Sequence, residues 1–202
     1  MIPAQEALAR LREGNQRFVA SGAGPAGPAG PAGRPGAGQQ PFAIILGCSD
    51  SRVPAELVFG QGFGDLFVIR VAGNIVAPSQ VGSVEFAAER FETRLAVVLG
   101  HTQCGAIAAT LEELRQPSGQ ESPNLRAIVD RIRPAIEPLL ATPVAKDPAA
   151  LAEQATRANI QASVNHLRHG SALLERRIER DGLVIVGAEY RVDTGTVEFL
   201  DD

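Results

Sequence analysis

"PFAIILGCSDSR", residues 41–52, sets an apolar run directly against a thiol, a carboxylate and a guanidinium. "FAIIL" at 42–46 is apolar at every position, so it suits a strand covered on both faces rather than one half in water. Three similar runs follow: "LFVIR" at 66–70, "LAVVL" at 95–99 and "LVIVG" at 183–187. Helical spacing fills the gaps between them. Val81, Val84, Ala88 and Phe91 share one helix face, as do Ile107, Leu111 and Leu114. Ser122-Pro123 opens another helix, carrying Leu125, Ile128, Ile132, Ile136 and Leu139, which Pro134 and Pro138 should kink or end. Ile160, Val164 and Leu167 mark a further helix stopped by Gly170, and a short one follows over 172–180. "VDTGTVEFL" at 192–200 reads as a turn at Thr194-Gly195 feeding an edge strand. The pattern predicts an α/β fold: a mostly parallel central sheet of four strands plus a C-terminal edge strand, with helices on both faces.

Outward from this core, Leu8, Leu11 and Phe18 place an N-terminal helical arm at residues 1–21. "GAGPAGPAGPAGRPGAGQQ" at 22–40 repeats Gly every third residue, too briefly for a triple helix, and reads as an extended linker. Its length lets the first helix reach away from its own body, onto a partner subunit. Residues 41–202 form the α/β domain in this division. With 202 residues the chain fits one core that needs no disulfides. Its net charge of −4 and the lack of a basic stripe argue against nucleic acid as a partner. No window approaches a membrane span, and the N-terminus lacks the apolar core of a secretion signal. A cytoplasmic protein is expected, with both thiols reduced.

The two cysteines both stand at strand ends. Cys48, Asp50 and Arg52 follow the first strand; His101 and Cys104, in "GHTQCG" at 100–105, follow the third. In an open α/β sheet such loops meet at one edge, where ligands bind. Two thiolates and an imidazole favour zinc over magnesium or calcium. Three protein ligands leave a fourth position for water or for Asp50, the pattern of a catalytic site. Cys104 also opens a helix, whose amide hydrogens favour a thiolate. His166 and His169 read as a solvated helix face. "GQGFGDLF" at 60–67 fails the dinucleotide fingerprint and reads as a tight loop entering the second strand.

These residues resemble a known family. "CSDSR" followed by "GHTQCG" is similar to the zinc signature of the β-class carbonic anhydrases, and the likeness runs through "RVPAELVFGQGFGDLFVIRVAGNIV", "GSVEFA" and "GAEYRVDTG", from about Gln39 to the end. The resemblance implies a lyase that reversibly hydrates carbon dioxide to bicarbonate by zinc-bound hydroxide. It implies Zn2+ on Cys48, His101 and Cys104, with Asp50 orienting the bound water or, in a closed state, serving as fourth ligand. Arg52 would pair with Asp50 and hold it off the metal. Gln39, Phe67, Ala72, Phe86 and Gly105 fall at substrate-binding positions, in a pocket often shared across a dimer interface, and a homodimer or homotetramer is implied. Phe86 replaces the Tyr common there. Arg70 and Tyr190 match a regulatory bicarbonate pocket found in some members, but Ile45 stands where its Trp would be. Two other readings share the site: hydrolysis of carbonyl sulfide or carbon disulfide, and a non-catalytic module with structural zinc.

Overall fold

A computed structural model describes residues 2–22, 38–117 and 122–200. The expected linker therefore lies, from 23 to 37, outside the described residues. Five strands form one sheet in the order β2-β1-β3-β4-β5: β1 Ala43–Gly47, β2 Leu66–Arg70, β3 Leu95–His101, β4 Val184–Tyr190 and β5 Val197–Phe199. The first four pair in parallel, and β5 runs antiparallel along β4. The mostly parallel sheet of four strands with a C-terminal edge strand is as expected.

Two strands run well past the apolar runs that mark them. β3 continues two residues past Leu99, and β4 runs to Tyr190, because their ladder stays in register from Leu95↔Val184 to His101↔Tyr190. The pairing engages main-chain groups, so Gly100, His101 and Glu189 join it despite lacking apolar side chains. That extension carries His101 to the end of the sheet.

Side chains alternate between two covered faces. Ala43, Ile45, Val97 and Leu99 pack beneath α1 (Ala4–Ala20) and α2 (Ala55–Val58). Ile44, Leu46, Ala96, Val98 and Ile185 face α3 (Pro78–Arg90), later parts of α6 (Pro148–His169) and α7 (Ala172–Asp181). The expectation that the first helix reaches away from its own body is corrected here: Ala7, Leu11 and Phe18 of α1 are buried against their own sheet. Asn15 fixes the helix there, donating from Nδ2 to the carbonyls of Val58 and Gly195 at 3.0 and 2.9 Å.

A third cluster caps the carboxyl end of the sheet. α4 (Gly105–Arg115), α5 (Pro123–Ile136) and the start of α6 bring Ile107, Ile132, Ile136 and Leu151 around Cys48 and Cys104. Pro134 sits in the last turn of α5, which gives way at Glu137 to a 3-10 turn containing Pro138. No helix among the described residues is long and apolar enough to cross a membrane.

Candidate metal centre

β1 ends at Gly47 and delivers Cys48; β3 ends at His101, and Cys104 stands at the N-terminus of α4. Because β1 and β3 are parallel neighbours, both loops leave the same sheet edge. The ligand atoms of Cys48, His101 and Cys104 all lie within 4.8 Å of one another, with the two sulfurs 4.0 Å apart. All three residues are buried. No other group of three such side chains gathers this way among the described residues, and His166 and His169 are exposed on α6 as expected.

The chemistry of the set suits a soft divalent ion. His101 Nδ1–H donates to the Thr102 carbonyl at 2.9 Å, which leaves the lone pair on Nε2. That nitrogen is buried with no hydrogen-bond partner. A buried nitrogen with no hydrogen-bond partner, set among two sulfurs, carries a cost that a proton shared with Cys48 or a bound cation would meet. A hydrogen bond from Cys104 pulls the Cys48 thiol pKa down against the opposing pull of burial, with His101 and main-chain groups of Asp50 and Gly73 assisting. Cys104 moves up, because it is the donor to that thiolate and is itself buried. Burial alone would lower the His101 pKa, but the Cys48 thiolate, the Thr102 carbonyl and Asp50 together raise it.

Asp50 and Arg52 sit at the mouth. Arg52 donates Nε to Asp50 Oδ1 at 3.0 Å and Nη2 to Oδ2 at 2.9 Å, and its main-chain N–H adds a third bond to Oδ1. These bonds hold Asp50 far below the usual carboxylate range, and they raise Arg52 in turn. Asp50 Oδ2 lies 3.9 Å from His101 Nε2. Arg70, the last residue of β2, donates to the carbonyls of Cys48 at 3.1 Å and Asp50 at 2.6 Å, tying this loop to the sheet.

A tight turn over Ala72–Asn74 supplies a further donor that sequence reading missed. Gly73 N–H points at Cys48 Sγ, 3.4 Å away. The turn needs φ of 69° at Gly73 and 43° at Asn74, and α6 holds it: Asn159 donates to Gly73 O and Ser163 to Asn74 O. The glycine followed by an asparagine in "VAGNIV" is the one sequence signal for such a turn.

Comparison with known proteins settles the family. The family model described as carbonic anhydrase matches residues 43–197. The chain belongs to the carbonic anhydrase family. Carbonic anhydrase 2 of Mycobacterium tuberculosis is 37% identical over 190 residues, spanning 92% of this chain and 87% of that protein. The carbonic anhydrase of Mycolicibacterium smegmatis is 36% identical over 194 residues, covering 93% and 89%. In fold, the chain matches one of two tetrameric β-carbonic anhydrases of Sordaria macrospora at a TM-score of 0.72, with 24% identity over 82% of this chain and 83% of that one. The β-carbonic anhydrase CcaA matches at the same TM-score with 29% identity over 81% of each chain, and this chain is a β-class carbonic anhydrase, a lyase.

The remaining expected site residues are spread more widely. Gly105 is exposed at the first turn of α4, beside Cys104, and Ala72 lies in the turn that faces Cys48. Phe67 and Phe86 meet on the β2 side of the sheet, their ring centroids 6.0 Å apart, with Phe91 completing the group. Gln39 precedes β1, whereas Cys48 follows it, so within this carbonic anhydrase chain the two stand at opposite ends of one strand. Gln39 instead lines a cavity of about 940 Å³ with Arg10, Gln40 and Glu89. Ile45 is wholly buried in the core, and the Arg70 guanidinium is engaged with the Cys48–Asp50 loop.

Proposed function

We propose that the protein reversibly hydrates carbon dioxide to bicarbonate and a proton, with Zn2+ held by Cys48, His101 and Cys104. The observation that carries this reading is the buried, unpartnered His101 Nε2 set among two sulfurs on adjoining strand ends. Zinc, when bound, supplies the Lewis acidity that lets a water ionise near neutral pH. As thiolates, Cys48 and Cys104 would offset the ion's charge, which would move that ionisation to the alkaline side of neutrality. Asp50 presents an acceptor that orients the attacking oxygen's hydrogen, and Arg52 fixes that carboxylate and returns positive charge to the site. Were Asp50 released, it could reach the ion as fourth ligand and close the site.

Carbon dioxide is small, linear and apolar. Phe67, Ala72 and Phe86 offer it apolar surface, and Gly105 leaves room above the first turn of α4. Phe86 is 53% exposed beside edge strand β2, which supports a homo-oligomer that covers this face. The tetrameric Sordaria macrospora relative supports the same reading. Because Gln39 lies at the far end of β1 from Cys48, its substrate role requires a second copy of the chain. Two buried, unlinked thiols fit a reducing compartment, the cytoplasm.

Metal content and stopped-flow carbon dioxide hydration test this together. One zinc per chain is expected, with a rate that climbs from pH 6 to 9. A folded, metal-free protein, or a rate flat across that range, would refute it.

A further inference from the structure

Gln103 lies between the two ligands of the second loop and takes no part in the family-derived roles above. Its backbone has φ of 58°, in the left-handed region that a side chain with a Cβ enters only at a cost. Gly or Asn would fit there more easily. Strain of this kind persists where the surroundings use it. Gln103 is exposed, so packing does not account for it.

The side chain and carbonyl both turn toward Arg52. Arg52 Nη1 donates to Gln103 Oε1 at 3.3 Å, and Nη2 donates to Gln103 O at 3.3 Å. The same guanidinium donates Nε and Nη2 to Asp50. Arg52 therefore spans the gap between the loop of Cys48 and the loop of Cys104, with Asp50 on one side and Gln103 on the other. A guanidinium gripped on one side only can swing with its carboxylate; gripped on both, its plane is fixed.

We propose that Gln103 is a positioning residue of the reaction, which locks Arg52 from the second loop and thereby keeps Asp50 at its post. This inference rests on the roles of Asp50 and Arg52 given under the proposed function. The left-handed turn aims both Gln103 acceptors at one guanidinium, and that is what the strained residue gains.

A double-mutant cycle tests it with two readouts. Gln103→Met keeps the length and removes the acceptor; Gln103→Gly relieves the backbone and keeps the carbonyl. Both are expected to lower kcat for carbon dioxide by about three- to tenfold with KM unchanged. In an Arg52→Ala background neither should cause a further loss. Gln103→Gly should melt no lower than the parent, which separates the effect from misfolding. In 15N-arginine-labelled protein, with metal and without, the guanidinium resonances that vanish in Arg52→Ala should show slowed Cζ–Nη rotation in the parent and faster rotation in Gln103→Met. Equal losses in both backgrounds, or unchanged rotation, would overturn the proposal. A parent that does not hydrate carbon dioxide but shows the slowed rotation would instead sink the proposed function and leave the Gln103–Arg52 lock standing.

Discussion

Arg52 grips Asp50 through two parallel hydrogen bonds, Nε to Oδ1 at 3.0 Å and Nη2 to Oδ2 at 2.9 Å, while Oδ2 stays 3.9 Å from His101 Nε2. The carboxylate is thus held within reach of the ligand atoms but committed elsewhere. Arg52→Ala removes the commitment without touching a ligand. The variant is expected to retain its metal and to lose about 100-fold in kcat. Metal analysis beside steady-state hydration checks this, and loss of the metal would mean that Arg52 holds the ligand set rather than Asp50.

The three ligands are buried together with the third apolar cluster, so an ion there also braces the fold. A ligand that binds only the native state adds about 4 kcal/mol at a free concentration 1,000 times its Kd. Chelation should therefore lower the Tm of the parent by several degrees. Cys48→Ser should start near the chelated Tm, respond little to chelator and hydrate carbon dioxide at the uncatalysed rate. Thermal melts with and without a chelator give the answer; a Cys48→Ser rate equal to that of the parent would remove the thiolate from the mechanism.

Gly73 is confined twice over. Its φ of 69° disfavours a side chain, and a Cβ there would lie 2.8 Å from Ile132 Cδ1 and 3.0 Å from Ala106 Cβ. Gly73→Ala is expected to cost about 2 kcal/mol or more and to weaken metal binding, since relieving the clash shifts the turn and draws its N–H away from Cys48 Sγ. Gly105→Ala is the contrast, because a Cβ there meets nothing within 4 Å. Urea unfolding and competition titration with a chromogenic chelator should separate the two variants.

The ligand set was legible in the sequence because strand-end loops in a parallel sheet must converge, and Cys48, His101 and Cys104 each follow an apolar run or its loop. The four parallel strands were legible because their runs are apolar at nearly every position. What escaped was the support around the ligands. Arg70 reaches the Cys48 loop across 22 positions, and Asn159 reaches Gly73 across 86, contacts that only tertiary packing creates. The placement of α1 also escaped, since an apolar helix face does not say whose surface it covers. Gln103 was silent because nothing in "GHTQCG" marks a left-handed backbone at a glutamine.

Glu189 offers a test read in stability rather than in rate. The residue is fully buried in β4, where Arg157 donates Nε to its Oε2 at 3.1 Å, while its Oε1 has no partner. Arg157 is shared with Glu198 at 2.6 Å and lies near Glu153, which Arg191 also approaches. Burial pushes the Glu189 pKa up, and Arg157 recovers only part of the shift. A carboxyl whose folded pKa exceeds its unfolded value, about 4.3, binds more protons in the native state between the two. Its contribution to stability is therefore full below pH 4 and declines as pH rises through the folded pKa. Glu189→Gln cannot ionise, and Arg157 keeps Glu198 and Glu153, so no cation is stranded. The Tm of the variant relative to the parent should thus climb as pH goes from about 4 upward and level off once Glu189 is ionised in both states. Melting curves across that range decide it: two parallel lines would mean that Glu189 takes up no extra proton on folding and that Arg157 neutralises it completely.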